Sequence, residues 1–461
     1  MKRIGISVLI MVWLFCSVGC DGEPSISSAP ETDTTTTVTT ATTDTTADSR
    51  PTETSTSATE TAGTTGTTTA DNTKKTTTTT TRKTTVSTVT SISGNKEVDA
   101  ILKNYTEAEL KTARFDLKKY MQPIWDNDVM FNESVLVLAE EDGSIAPITL
   151  AYDAAYVVEV RNARLNTVYE EGKDYRLENG KLVVLPGGKI PVMTREEYYP
   201  AQAASGTTLN RTGGGFLRFS EGSFFHDRQI AVTYVHLDEW QGEKPAYQGD
   251  RLKKTVAKLK AKEPVHIVIY GDSIFTGCNA SGTQQGGFVL PFMPGWFELM
   301  TRSLKEAYGY DAITYANPSV GGMTSQWGKD NAAALVATEK PDLVIVGFGM
   351  NDAALTPAKY RQNIEAILDS VWETVPDCEF LLTAPMMPNS EAQGFMGNQP
   401  EFLRQLEMLA GRGVGVMDVT SVHQYLLTRK SYRDMTGNNV NHPNDFLCRI
   451  YAQIAVKNLV K

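Results

Sequence analysis

The chain has 461 residues and carries 54 acidic against 44 basic side chains, a formal charge of −10. That surplus argues against gripping nucleic acid or an anionic membrane surface through charge. Its five cysteines form no Cys-x-x-Cys pair and no His/Cys cluster, so neither a zinc site nor a disulfide framework is expected.

Lys2-Arg3 followed by the apolar stretch Ile4 to Val18 reads as a targeting leader too short for a comfortable bilayer span. It ends Ser17-Val18-Gly19-Cys20, which resembles a bacterial lipoprotein lipobox. Ser17 departs from the Leu-like residue usual at that place, so plain secretory cleavage stays open. The resemblance implies a lipid on Cys20 as the single membrane attachment. Either route takes the protein out of the cytoplasm, to the cell surface or the medium, and residues 1–20 are expected to be the signal peptide. Loss of Cys16 and lipidation of Cys20 leave Cys278, Cys378 and Cys448, so at least one thiol stays free within a monomer.

Residues 21–97 are dominated by Thr with Ala, Ser, Asp and Glu, and include the run Thr76 to Thr81. Almost no large apolar side chain is available there to offset chain entropy, so a disordered linker is expected. A flexible coil of that size reaches on the order of 45 Å and suits a stalk.

Order is expected to resume near Val98. Thr106-Glu-Ala-Glu109 has capping-box spacing and opens an amphipathic run to about Tyr120. Short strands are then expected at 129–139, 148–152, 155–160, 175–177, 182–185 and 229–236. Asn179-Gly180 signals a type I′ hairpin, and Gly187-Gly188 and Gly213 to Gly215 mark turns. Residues 98–250 therefore read as a small all-β domain, a sandwich in expectation. Tyr198, Tyr199, Phe224 and Phe225 in it suggest packing more than a sugar platform.

From Arg251 to Lys461 strands and helices alternate. Strands are expected at 265–270, 312–316, 342–348, 379–384 and 414–419. Helices are expected at 294–308, 329–337, 357–373, 401–410 and 446–460. This pattern predicts an α/β fold, a parallel sheet in a flavodoxin-like three-layer α/β/α arrangement, with its crevice at the carboxyl ends of the strands.

Four turns fall on that edge. Gly271-Asp272-Ser273 follows the first strand and presents a hydroxyl. Asn317-Pro-Ser-Val-Gly-Gly322 follows the second, Gly349-Met-Asn351-Asp352 the third, and Asn441-His442-Pro443 precedes the last helix. A serine hydroxyl is a weak nucleophile until a base takes its proton, and the attacked carbonyl needs preorganised donors. Ser273, His442 and N–H groups from Ser273, the glycine pair ending the second turn and Asn351 supply that set. These blocks resemble the SGNH branch of the GDSL esterase family, whose four letters fall here on Ser273, Gly322, Asn351 and His442. The resemblance covers Arg251–Lys461. It implies a serine esterase that needs no metal or other cofactor, often an O-deacetylase, with acetylated carbohydrate as substrate and no nucleic-acid partner. Much of the family carries an Asp three residues before the His, and this chain has Asn439 there. Three acceptors for the His442 Nδ1 proton stay open on the sequence: the Asn439 side chain, a backbone carbonyl, or Asp434. The same residues admit a lapsed hydrolase that only binds carbohydrate, an acyltransferase, or a lipase.

Overall fold

The computed structural model describes residues 92–461; the leader and nearly all of the Thr-rich tract lie outside them. Three short helices open the described chain: α1 (Lys96–Leu102), α2 (Glu107–Leu110) and α3 (Leu117–Tyr120). The expected Thr106–Glu109 capping box starts α2. The run does not continue to Tyr120, because Lys111 turns extended and the Thr112 N–H leaves to bond Glu159 Oε1 at 2.5 Å. Asp116 then caps α3 afresh through the Lys119 N–H.

The β-rich segment holds β1 (Val129–Leu136), β2 (Ala154–Asn162), β3 (Val168–Tyr169), β4 (Tyr175–Glu178), β5 (Lys181–Val184), the one-turn helix α4 (Arg195–Tyr198), β6 (Thr208–Asn210), β7 (Phe216–Arg218) and β8 (Gln229–His236). β1, β8, β2 and β3 form one antiparallel sheet in that order. β4 and β5 pair across Asn179-Gly180, both at positive φ as a type I′ turn demands. β6 and β7 pair across the three glycines. Residues 148–152 make no strand, only a bridge from Ile148 to Leu182. Side chains take the backbone donors instead: Ala151 N–H bonds Glu133 Oε1, and Tyr152 N–H bonds the Tyr234 hydroxyl.

The expected sandwich has no second sheet of comparable size. The final helix, α11 below, packs against the four-stranded sheet in its place. One apolar cluster runs from Tyr120, Val135, Val160 and Tyr234 to Trp296, Ile450 and Ile454. Gln453 on that helix accepts from Ile124 N–H and donates to the carbonyls of Tyr120 and Gln122. At zero exposure, Glu133 of β1 pairs with Lys430, whose Nζ also donates to Ser134 O.

The second half runs α5 (Lys253–Ala261), β9 (Val265–Gly271), α6 (Trp296–Tyr308), β10 (Ile313–Ala316), α7 (Ser325–Leu335), β11 (Leu343–Gly347), α8 (Pro357–Trp372), β12 (Glu379–Ala384), α9 (Phe402–Glu407), β13 (Val414–Asp418), α10 (Val419–Arg429) and α11 (Asp445–Leu459). The sheet is parallel throughout with order β10-β9-β11-β12-β13, the flavodoxin-like order, whose reversal point lies beside β9. Alternation along β9 divides its side chains between two faces. Ile267 and Ile269 join the cluster with α5, α6 and α11, while Val268 and Tyr270 join Ala332, Tyr360 and Ile364 of α7 and α8. Trp327 sits in α7 against Tyr270 and Phe348. His266 is half-buried and meets Thr314 Oγ1. Tyr198 and Phe225 are buried in a cluster of their own, and Cys278, Cys378 and Cys448 are all free and buried. No helix among the described residues is long and apolar enough to cross a membrane.

Candidate active site

β9 must end beside β11 for Ser273 to reach the crevice, and Gly271 permits it. A Cβ there would stand 2.3 Å from the Gly347 carbonyl oxygen. The chain then turns on Asp272, whose Oδ1 accepts the Ile274 N–H and whose carbonyl accepts those of Phe275 and Thr276. Burial pushes the Asp272 carboxyl up to about 7, against the pull of the Ile274 and Met350 N–H groups; nearby Asp352 adds to the rise. Ser273 is left at the top of the turn.

His442 comes from the other end of the chain and is held through its backbone. Asn438 Oδ1 accepts the N–H groups of Val440, Asn441 and His442 at 3.0 to 3.1 Å. The His442 carbonyl accepts from Thr436 Oγ1 and the Gly437 N–H. So fixed, the ring places Nε2 2.8 Å from Ser273 Oγ.

On the far side, Nδ1 lies 2.8 Å from Asn279 Oδ1 and 3.3 Å from Glu221 Oε2. The Asn279 amide orientation is set by its Nδ2, which donates to the Gly222 carbonyl. Both neighbours of Nδ1 are therefore acceptors. The proton belongs on Nδ1, and Nε2 is free to take the serine proton. Asn279 fits because residue 437 is Gly: a Cβ there would lie 2.3 Å from Asn279 Cβ. Glu221 is further held by Asn438 Nδ2 at 3.0 Å. Burial acts to raise its carboxyl, but the hydrogen bond and charge of His442, with the Asn438 and Asn279 amides, outweigh that and leave it below the usual glutamate range.

The donor side is built from two loops. An ideal Cβ on Gly321 would lie 3.7 Å from Ser273 Cβ, and Gly322 follows at φ +78°. Among the described residues the N–H groups of Ser273, Gly321 and Gly322 have no acceptor within the protein. Asn351 Nδ2 spends one hydrogen on the Met323 carbonyl, which ties its amide to the glycine loop and leaves the second free.

Asn439 does not stand behind the imidazole. Its backbone is left-handed at φ +70°, and its side chain turns to the Tyr198 hydroxyl and the Arg218 carbonyl. Asp434 is likewise engaged elsewhere, accepting from the N–H groups of Leu136 and Ser431. Nor is the acceptor a backbone carbonyl, since both partners of Nδ1 are side chains. Asp445 accepts the Ser281 N–H, and Asn444 caps the last helix. Glu221 and Asn279 are the two residues that sequence reasoning missed. Glu221 lies 221 positions from His442, in a Ser-Glu-Gly turn with nothing local to mark it. Asn279 follows the nucleophile by six residues, with nothing local that points to the histidine. Among the described residues no cluster of three or more His, Cys, Asp or Glu could hold a metal ion.

The model of the GDSL-like Lipase/Acylhydrolase family matches residues 269–446, a span that contains Ser273, Gly322, Asn351 and His442. Over those residues the chain is similar to that family. Esterase TesA of Pseudomonas aeruginosa is 32% identical to the chain over 104 residues, 22% of this chain and 45% of that one. A solved two-domain esterase active on acetylated mannans is 22% identical, covering 48% of this chain and 53% of its own, with TM-score 0.38. A catalytic mutant of an acetylxylan esterase from Geobacillus stearothermophilus is 18% identical, covering 43% and 96%, with TM-score 0.35. The chain thus spans about half the length of the curated relative it matches. Glu221, which lies beside His442 Nδ1, falls outside residues 269–446.

Proposed function

We propose that the protein is a serine esterase that removes acetyl groups from carbohydrate outside the cell, held there by a lipid on Cys20. The observation that carries the esterase reading is the 2.8 Å contact between His442 Nε2 and Ser273 Oγ, with the ring's tautomer already set. Ser273 Oγ attacks the ester carbonyl carbon as its proton passes to Nε2. The carbonyl electron pair becomes an oxyanion received by the N–H groups of Ser273 and the glycine turn and by the Asn351 amide. Collapse breaks the bond to the sugar oxygen, which leaves with the proton from His442. Water gives its proton to Nε2 as it attacks the acetyl-serine; collapse breaks the bond to Ser273 Oγ, which takes the proton back from Nε2, and acetate leaves.

The lapsed-hydrolase reading drew its motive from Asn439, and the Asn279 and Glu221 acceptors remove that motive. The carbohydrate and its extracellular setting rest on the leader, the Thr-rich tract and the family resemblance. The test is product analysis with acetylated xylan and mannan oligosaccharides beside p-nitrophenyl esters of increasing chain length. Free acetate and a preference for acetate over longer esters are expected. Acetylated sugar as the main product would indicate a transferase, and a preference for long chains a lipase; either would overturn the reading.

A further inference from the structure

His442 Nδ1 has one proton and two oxygen atoms in front of it, and they differ in kind. Asn279 is 4% exposed and neutral, and at 2.8 Å it makes the shorter contact. Glu221 is charged, sits at 3.3 Å, and its side chain is 47% exposed. The neutral amide suffices to fix the tautomer and the plane of the ring. It cannot do what a carboxylate does when the ring takes the proton of Ser273 and becomes positive, because an amide carries no net charge to oppose it.

The carboxylate is also built in rather than wandering. Asn438 Nδ2 holds Glu221 Oε1, and the same Asn438 holds the His442 backbone through its Oδ1. Asn279 Nδ2 bonds the carbonyl of Gly222, the next residue, and the Gly222 N–H bonds the Gln285 carbonyl. The turn that carries Glu221 is therefore stapled to the loop after the nucleophile and to the histidine loop together. That turn belongs to the β-rich segment, between β7 and β8.

We propose that Glu221 is a positioning residue of the active site, a carboxylate lent by the β-rich segment that stabilises the His442 imidazolium while Asn279 sets the ring's orientation. The proton taken from Ser273 rests on Nε2, and the Nδ1 proton stays on the ring throughout, so Glu221 receives none. The triad is split between a charge and an acceptor on different parts of the chain. The β-rich segment is then part of the catalytic unit, not an appended module. This rests on the esterase reading above.

Other titratable groups on the elements packed around the ring are Asp272 and Cys278 beside the nucleophile and Asp445 at the start of α11. Among them only Glu221 bonds the imidazole. Glu221→Gln should lower kcat on p-nitrophenyl acetate about tenfold or more. KM should stay within about twofold, since the ester does not touch this face of the ring. Because Glu221 is half open to solvent, 1 M salt should slow the wild type more than Glu221→Gln. Asn279→Asp placed in the Glu221→Gln background restores a charge at the nearer position and should recover most of the rate, which a merely structural loss would not allow. Wild-type kcat in Glu221→Gln, with turnover still dependent on Ser273, would overturn the proposal. No Ser273-dependent turnover in the wild type would instead overturn the esterase reading itself.

Discussion

Ser273→Ala is expected to lose turnover on p-nitrophenyl acetate by on the order of 10⁴-fold or more, with its thermal transition unchanged. The hydroxyl is the atom that forms the acyl bond, and nothing adjacent replaces it: Cys278 is buried, with its thiol pushed up to about 12 by that burial. His442→Ala should lose a similar factor, because an unassisted hydroxyl scarcely ionises near neutral pH. The double variant should lose little more than either single one, since the two act as a unit. Initial rates of p-nitrophenol release, read beside circular dichroism melts, check all three. Additive losses would mean that the 2.8 Å contact is not the working one.

The largest expected effect on stability lies where the two halves join. Lys430→Met should cost about 3–5 kcal/mol, because it strands the Glu133 carboxylate at zero exposure without its counter-charge. Glu133 also accepts from the Tyr234 hydroxyl and the Ala151 N–H, so it anchors β1, β8 and the 151 loop together. Adding Glu133→Gln removes the orphaned charge and should return part of the loss. Thermal unfolding of the three proteins tests this; equal midpoints for wild type and Lys430→Met would contradict it. Lys430 also stands shortly before the His442 loop in the chain. Lys430 and Asp434 tie the segment leading into the His442 loop to β1, through Ser134 O and the Leu136 N–H.

What the sequence disclosed follows from where the determinants sit. β9, β11 and β12 are buried on both faces and so read as continuous apolar runs between helical periods. The same alternation of strands and helices anticipates the sheet order and its crevice beside β9. Ser273, Gly322, Asn351 and His442 each fall in a short block at a strand end or helix start, where a handful of residues is enough to see them. Asn179-Gly180 declares its hairpin because its two left-handed residues are dictated locally.

The misses have the opposite character. Residues 148–152 look like a strand, but Glu133 and Tyr234, distant in the chain, take their backbone donors. The sandwich expectation found β1, β2 and β8 of the one large sheet but not β3, and had no means of knowing that α11 would cover that sheet. Asn439 seemed to replace an Asp by spacing alone, whereas its left-handed backbone swings the side chain to Tyr198. Glu221 illustrates the limit most clearly. A half-exposed carboxylate in a turn looks like any surface glutamate, and only the fold brings it to the imidazole.

The account turns on Ser273 being a nucleophile activated by His442. Exposure of the full chain to a dialkyl p-nitrophenyl phosphate, followed by tandem mass spectrometry, reads this out directly. One phosphoryl adduct is expected, on the peptide containing Ser273, and it should be lost in folded His442→Ala. An adduct confined to another residue, or undiminished labelling in His442→Ala, would contradict the account.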